Sequence, residues 1–222
     1  MPTQEGKCYR EIIALLGILI VVLAMWLPYG FKKTGTIEDW ILYRNFDNGQ
    51  RIGGNPWAAF PASQSQPNRV FTPLAWLIGY WLTPNSFIGL NVLNCVLFLA
   101  KGWLLYWLLR SVVPDFPLFA FVTALLFVAF PADTGLFELR ISNYQSAAFC
   151  YLLAVYLLVL YWQRGSFLAL FGMTASLVLC VGTVEFAIPL IFITPLILVW
   201  LQKGFNKRVF RVAAIWYCIA VI

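Results

Sequence analysis

The 222-residue chain is 62% hydrophobic and only 11% charged, with a formal net charge of +6 and a mean hydropathy of +0.81. Soluble domains carry roughly 25% charged residues, so this chain has too few charges to cover a water-facing surface, which excludes disorder, collagen-like repeats and nucleic-acid binding. The composition predicts an all-α fold: one polytopic transmembrane helix bundle over residues 1–222, of about six to seven spans, with a long first extracytoplasmic loop containing short interfacial helices.

In chain order, the first predicted span is Ile12 to Tyr29, preceded by Lys7 and Arg10. Met25-Trp26-Leu27-Pro28 is a poor cleavage site, so the segment reads as an uncleaved span. A polar stretch from Gly30 to about Arg69 follows, of a length that is usually functional or disordered. Phe71 to Pro84 is apolar but short for a full span, and predicts a re-entrant or interfacial helix. Phe87 to Leu109 is a second span and Phe116 to Phe130 a short third, bracketed by Pro114, Pro117 and Pro131. Ala132 to Asn143 reads as a loop and Tyr144 to Trp162 as a fourth span. Ser166 to Val181 and Phe186 to Leu201 form a fifth and sixth, meeting around Gly182-Thr183-Val184-Glu185. Val209 to Ile222 begins a seventh that stops without a polar flank, which predicts that the chain is part of a longer protein.

Charge sets the orientation. With the N-terminus inside, cytoplasmic segments hold Lys7, Arg10, Arg110, Arg164, Lys203, Lys207, Arg208 and Arg211. The short opposite loops hold only Arg140, and the long first loop escapes the rule. Trp26, Tyr29, Tyr161, Trp162 and Trp200 sit near span ends, as interfacial belts do. The expectation is an integral protein of a bacterial inner membrane, with the N-terminus cytoplasmic and the first loop extracytoplasmic.

The five cysteines (Cys8, Cys95, Cys150, Cys180, Cys218) have no metal-ligand spacing, and there is no histidine. That removes His-based general bases and catalytic triads, leaving carboxylates, Lys, Arg, amides and hydroxyls. Most acidic residues fall on the outer side: Glu38, Asp39, Asp47, Asp133, Glu138 and Glu185. The Glu38-Asp39 pair precedes the apolar Trp40-Ile41-Leu42-Tyr43, which places two carboxylates beside an interfacial anchor. A partly desolvated carboxylate there serves as a general base; alternatively the pair holds a divalent cation such as Mg or Mn, or forms a solvated turn capping a short helix.

Lys32, Lys33, Arg44, Arg51 and Arg69 share that loop, and an arginine fork binds phosphate oxygens bidentately. Lipid-headgroup contact is the alternative for each of them. Glu185 lies between two spans, where an ionisable side chain has a functional or pairing role by default. On the second span Asn91, Asn94 and Lys101 fall within about 80° of one another around the helix axis. Such a stripe faces the bundle, either as packing amides with Lys101 reaching a carbonyl or water, or as part of a site.

This layout resembles the GT-C superfamily of membrane glycosyltransferases, over essentially the whole chain but only the N-terminal portion of a typical member. The similar elements are the early acidic pair in Thr36-Ile37-Glu38-Asp39-Trp40, and Arg69-Val70-Phe71-Thr72-Pro73-Leu74, which is similar to the family's Arg-Pro-Leu entry with Thr72 interrupting it. The others are the amide-bearing second span, the Pro-bounded third, and Thr183-Val184-Glu185. The resemblance implies transfer of a sugar from a polyprenyl-phosphate donor to an extracytoplasmic glycan, lipid or protein acceptor. It implies Asp39 as catalytic base with Glu38 as fallback, Glu138 for acceptor or metal, and Arg44, Arg51, Arg69 and Arg140 for the lipid phosphate, with Glu185 in the site. Two other classes fit the same composition: a non-catalytic membrane subunit of a larger complex, and a lipid or solute transporter. No internal repeat supports the last.

Overall fold

The computed structural model describes residues 4–31, 40–41, 43–48, 70–130 and 139–220, with only the backbone of residues 4–8, Tyr29, 139–141 and Phe186. Every regular element among the described residues is helical. In chain order these are α1 (Gln4–Met25), α2 (Leu27–Gly30), α3 (Pro73–Leu82), α4 (Ile88–Val112), α5 (Pro117–Ala129), α6 (Leu139–Arg164) and α7 (Phe167–Val181). A 3-10 turn (Glu185–Ala187) leads into α8 (Ile188–Ile193), α9 (Leu196–Gln202) and α10 (Lys207–Ala220). Residues 43–48 are also helical.

Two of these helices are long and apolar enough to cross a membrane: α4, and Ser142–Arg164 of α6. α5 and α7 match the expected third and fifth spans but have only 13 and 15 residues. Their outer faces are apolar and exposed, including Leu118, Phe119 and Leu126 on α5 and Phe167, Leu168 and Phe171 on α7.

Local chemistry explains where the helices start and stop. Proline opens α3 and α5, where its missing N–H would have lacked an intrahelical partner anyway. Between α3 and α4, the Gly89 N–H donates to Thr83 Oγ1 at 2.7 Å and the Ile88 N–H to Ser86 Oγ at 3.2 Å, satisfying donors of the first turn of α4. Gly165, at φ +64°, supplies the left-handed residue that ends α6 and lets α7 fold back on it. At the start of α10 the Val209 N–H donates to the Asn206 side chain at 2.8 Å.

Two sequence expectations change. Helix α6 begins at Leu139, so Leu139–Asn143 belong to a helix where a loop was expected. The expected sixth span is broken at Thr194-Pro195 into α8 and α9. Pro195 cannot donate to the Ile191 carbonyl one turn earlier. That carbonyl accepts instead from Trp216 Nε1 at 2.9 Å, and the Phe192 carbonyl accepts from the Tyr217 hydroxyl at 2.7 Å, so α10 supplies the donors at the break.

Two apolar cores organise the bundle. One joins α1, α4 and α5 through Ile18, Val22, Phe98, Ala120, Ala124 and Val128. Gly102 permits this approach, since a Cβ there would lie 2.6 Å from a Val128 methyl. The other joins α6, α7 and α10 around Leu158, Met173, Leu177 and Trp216.

Several charged and polar side chains meet at one end of the bundle. Glu11 pairs with Arg110 at 3.8 Å, and Gln163 donates to the Ser111 carbonyl at 3.3 Å. Arg208 donates to the Trp162 carbonyl at 2.6 Å, its guanidinium 4.4 Å above the Trp162 ring. Arg110, Arg164 and Arg208 therefore gather at the end that holds Glu11.

Candidate functional site

The opposite end of the bundle carries the unusual side chains. Three features build it. The first is an aromatic cluster that seats residues 40–41 and 43–48 on α3 and α4. Tyr43 and Phe46 are fully buried among Trp76, Leu77, Tyr80, Phe87 and Leu90. Trp40 packs edge-on against Phe87 at 4.6 Å and Tyr43 edge-on against Tyr80 at 5.4 Å, while Tyr43 lies tilted on Phe87 at 4.4 Å. The Tyr80 hydroxyl donates to the Asp47 carboxylate. Underneath, α3 and α4 touch backbone to backbone at Gly79 and Gly89: a Cβ on Gly79 would lie 2.7 Å from the Leu90 Cβ. Aromatic pairs of this kind contribute about 0.5–1.5 kcal/mol each beyond their buried area, which fixes the polar segment's end against the helices.

The second feature is a clasp between distant parts of the chain. The Phe71 N–H donates to the Gly182 carbonyl at 2.8 Å, and the Thr72 hydroxyl to the Thr183 carbonyl at 2.6 Å. Thr72 would ordinarily cap α3, but its hydroxyl is committed to this bond and makes no cap. Phe71 also fills the space above Gly182, where a Cβ would lie 2.6 Å from its ring. The clasp joins the entry to α3 with the turn that carries Glu185.

The third feature is a set of buried polar side chains on α4 and α6, joined by a bond from Lys101 to Gln145. Asn91, Asn94 and Lys101 on α4 and Ser142, Asn143 and Gln145 on α6 are all buried, Lys101 at 3% exposure. Long side chains on a helix lean toward its N-terminus. Accordingly Lys101 reaches back along α4, its Nζ 4.3 Å from the Phe98 ring centroid and 5.8 Å from that of Phe127, and donates to Gln145 Oε1. Phe98 in turn stacks on Trp26 at 5.1 Å. Trp26 Nε1 donates to the Val128 carbonyl at 2.7 Å, satisfying one of the last carbonyls of α5. A buried ammonium is costly unless hydrogen-bonded; here an amide oxygen and two aromatic faces provide the compensation.

Beside Lys101 a groove of about 540 Å³ runs between α4 and α5, lined by Phe98, Leu105, Thr123, Leu126, Phe127 and Phe130 as well as the lysine.

The expected site residues distribute unevenly. Glu38, Asp39, Arg51, Arg69, Asp133 and Glu138 lie outside the described residues. Arg44 is exposed on the helical segment 43–48. Arg140 lies in the first turn of α6, with its side chain outside the description. Glu185 is exposed and opens the 3-10 turn. The Asn91–Asn94–Lys101 stripe faces the bundle as expected. Gln145 was missed as a partner of Lys101 on that stripe; polar residues at the head of an apolar run were the available signal. Asp47 was noted only for its charge, and its tie to Tyr80 has no sequence signature.

Among the described residues, no group of three or more His, Cys, Asp or Glu side chains is placed to hold a metal ion. No protein-family model, no curated protein and no solved structure matches the chain.

Proposed function

We propose that the chain is a polytopic integral membrane protein of about six to seven spans. Its function is to transfer a sugar from a polyprenyl-phosphate donor to an extracytoplasmic acceptor, in the manner of the GT-C enzymes its sequence resembles. The basic end of the bundle, with Arg110, Arg164 and Arg208, faces the cytoplasm. The end bearing the aromatic cluster, the clasp and the buried polar side chains then faces outward, in a bacterial inner membrane.

The observation that carries the reading is the clasp. Phe71 and Thr72 belong to one stretch on which the resemblance rests, Thr183 belongs to another and Gly182 adjoins it; the two are hydrogen-bonded to each other. Segment 43–48, which follows the Glu38-Asp39 pair in the chain, is seated at the same end by Tyr43, Phe46 and Phe87. Convergence of separate stretches on one end is what a multi-loop site requires, and neither a packing subunit nor a transporter calls for it.

In this reading the Asp39 carboxylate takes the proton of an acceptor hydroxyl. The hydroxyl oxygen forms a new bond to the anomeric carbon while the bond from that carbon to the phosphate oxygen breaks. The electron pair leaves with polyprenyl phosphate, and the configuration inverts. Glu38 is the alternative base. Arg44, Arg51, Arg69 and Arg140 supply the cations for the phosphate, and Glu138 and Glu185 orient the acceptor. A divalent cation, if used, is held by the carboxylates of the same loops.

The test is transfer of labelled sugar from a polyprenyl-phosphate donor in membranes carrying the protein. Asp39→Asn is expected to lower transfer by about 10²-fold or more, the usual weight of a general base, at unchanged membrane insertion. Undiminished transfer by Asp39→Asn removes the assigned base, and no transfer above control membranes removes the enzyme reading.

A further inference from the structure

The turn between α9 and α10 lies at the basic end of the bundle and is fixed from both sides. Lys203 ends α9 in the left-handed conformation at φ +55°; its N–H donates to the Trp200 carbonyl at 3.2 Å, and that of Gly204 to the Val199 carbonyl at 3.1 Å. Asn206 opens α10, its side chain accepting from the Val209 N–H at 2.8 Å and its carbonyl from the Phe210 N–H at 3.1 Å. Arg208 ties the start of α10 to the end of α6 through the Trp162 carbonyl. The inward face of α10 buries Val209, Val212 and Trp216. At about 100° per residue Lys207 and Arg211 fall on the opposite side, about 40° apart, and both are exposed, as is Lys203.

The charge of this surface is not offset. Among the described residues none of these three side chains pairs with a carboxylate, whereas Arg110 has Glu11. From Trp162 to Ile222 the sequence holds a single acidic residue, Glu185, and that residue lies at the clasp end. Apolar rings stand beside the cations. Phe205 and Phe210 stack on each other at 5.9 Å yet are 68% and 63% exposed, and Trp200, one turn before Lys203, is 68% exposed. A soluble polyanion would neutralise the cations and leave these rings in water. An anionic bilayer surface satisfies both, with phosphates against the cations and the rings at the boundary of headgroup and acyl chain.

We infer that the α9–α10 turn is a docking surface for anionic glycerophospholipid headgroups, with Lys203, Lys207 and Arg211 on the phosphates and Phe205 and Phe210 in the layer beneath them. This rests on the membrane reading above and not on sugar transfer. Arg208 takes no part, since its guanidinium is committed to Trp162. The surface distinguishes lipids by net charge: phosphatidylglycerol is preferred over phosphatidylcholine, whose phosphate is already offset by its own choline cation.

The test is native mass spectrometry of the full chain released from detergent containing equal amounts of the two lipids. The expected result is retention of phosphatidylglycerol over phosphatidylcholine. Lys207→Gln with Arg211→Gln lowers phosphatidylglycerol retention about thirtyfold, the weight of two cations near an anionic surface, and leaves phosphatidylcholine retention unchanged. Phe205→Ser with Phe210→Ser keeps every cation and removes two exposed rings, and lowers phosphatidylglycerol retention about tenfold or more. Equal retention of the two lipids by the unaltered chain overturns the proposal, and so does retention unchanged in either double variant. Displacement of the lipid by equimolar inorganic phosphate or by an oligonucleotide also overturns it, because a soluble anion then suffices. Detergent phase separation keeps the two readings apart: a chain that partitions into water refutes the membrane reading itself, and one that partitions into detergent without lipid preference refutes the docking surface alone.

Discussion

Lys101 shows how one side chain constrains the design of its neighbourhood. Its ammonium is desolvated, so the Gln145 amide oxygen is compensation for burial and not an optional contact. Gln145→Leu is expected to destabilise the protein by about 3–5 kcal/mol, the cost of stripping a partner from a buried charge. Lys101→Met removes the donor to the neutral Gln145 amide oxygen, and an under-satisfied amide costs about 1–3 kcal/mol. The double substitution is expected to cost clearly less than the sum, because each change removes the group the other leaves stranded. Thermal melting of the four proteins in one detergent measures the cycle; strict additivity would show that the two side chains act independently. The polar stripe on α4 was legible in the sequence because amides and a lysine at helical spacing stand out in an apolar run. Its partner on α6 was not, because which helix faces which is decided by packing and has no local signature.

Among the elements, α8, α9 and α10 form a compensated break. Pro195 removes one backbone donor, and Trp216 Nε1 replaces it at the Ile191 carbonyl. Trp216→Phe keeps most of the buried ring and loses the donor, which is expected to cost about 1–3 kcal/mol. Adding Pro195→Ala restores a main-chain N–H within reach of the same carbonyl, so Trp216→Phe with Pro195→Ala is expected to be more stable than Trp216→Phe alone. Melting temperatures of the single and double variants decide it, and a further loss in the double variant would mean that Pro195 is needed for its shape alone. Pro195 was visible in the sequence, yet the hydropathy of Phe186 to Leu201 runs straight through it. Apolarity reports burial in a core or in lipid and is blind to a kink. The start of α6 at Leu139 was hidden for the converse reason: Arg140, Ser142 and Asn143 look like a loop, and only tertiary packing makes their turn helical.

At the scale of the whole molecule, the helical character of the chain and the meeting of Arg110, Arg164 and Arg208 at one end were the most legible properties. They need only composition and order along the chain, and the contacts of Arg110 with Glu11 and of Arg208 with Trp162 place those residues together. The candidate site was much less legible, because its members come from stretches far apart in sequence. The orientation has a direct check. In a background with Cys8 and Cys218 replaced, Asn85→Cys in the α3–α4 turn is expected to react with an impermeant thiol reagent on intact cells. Gly165→Cys, between α6 and α7, is expected to react only after permeabilisation. Labelling of both from one side would invalidate the assignment of opposite faces.

The two ends of the clasp are separated by 111 residues, from Thr72 to Thr183. At roughly 5–20 residues per second on the ribosome, the earlier half waits on the order of ten seconds for the later half to be made. During that interval the entry to α3 has no latch and its hydroxyl is left to water. The end that carries the clasp is thus secured only once Gly182 and Thr183 have been made, so a chain from a ribosome stalled before Gly182 is expected to be cleaved by added protease near α3 more readily than a finished one.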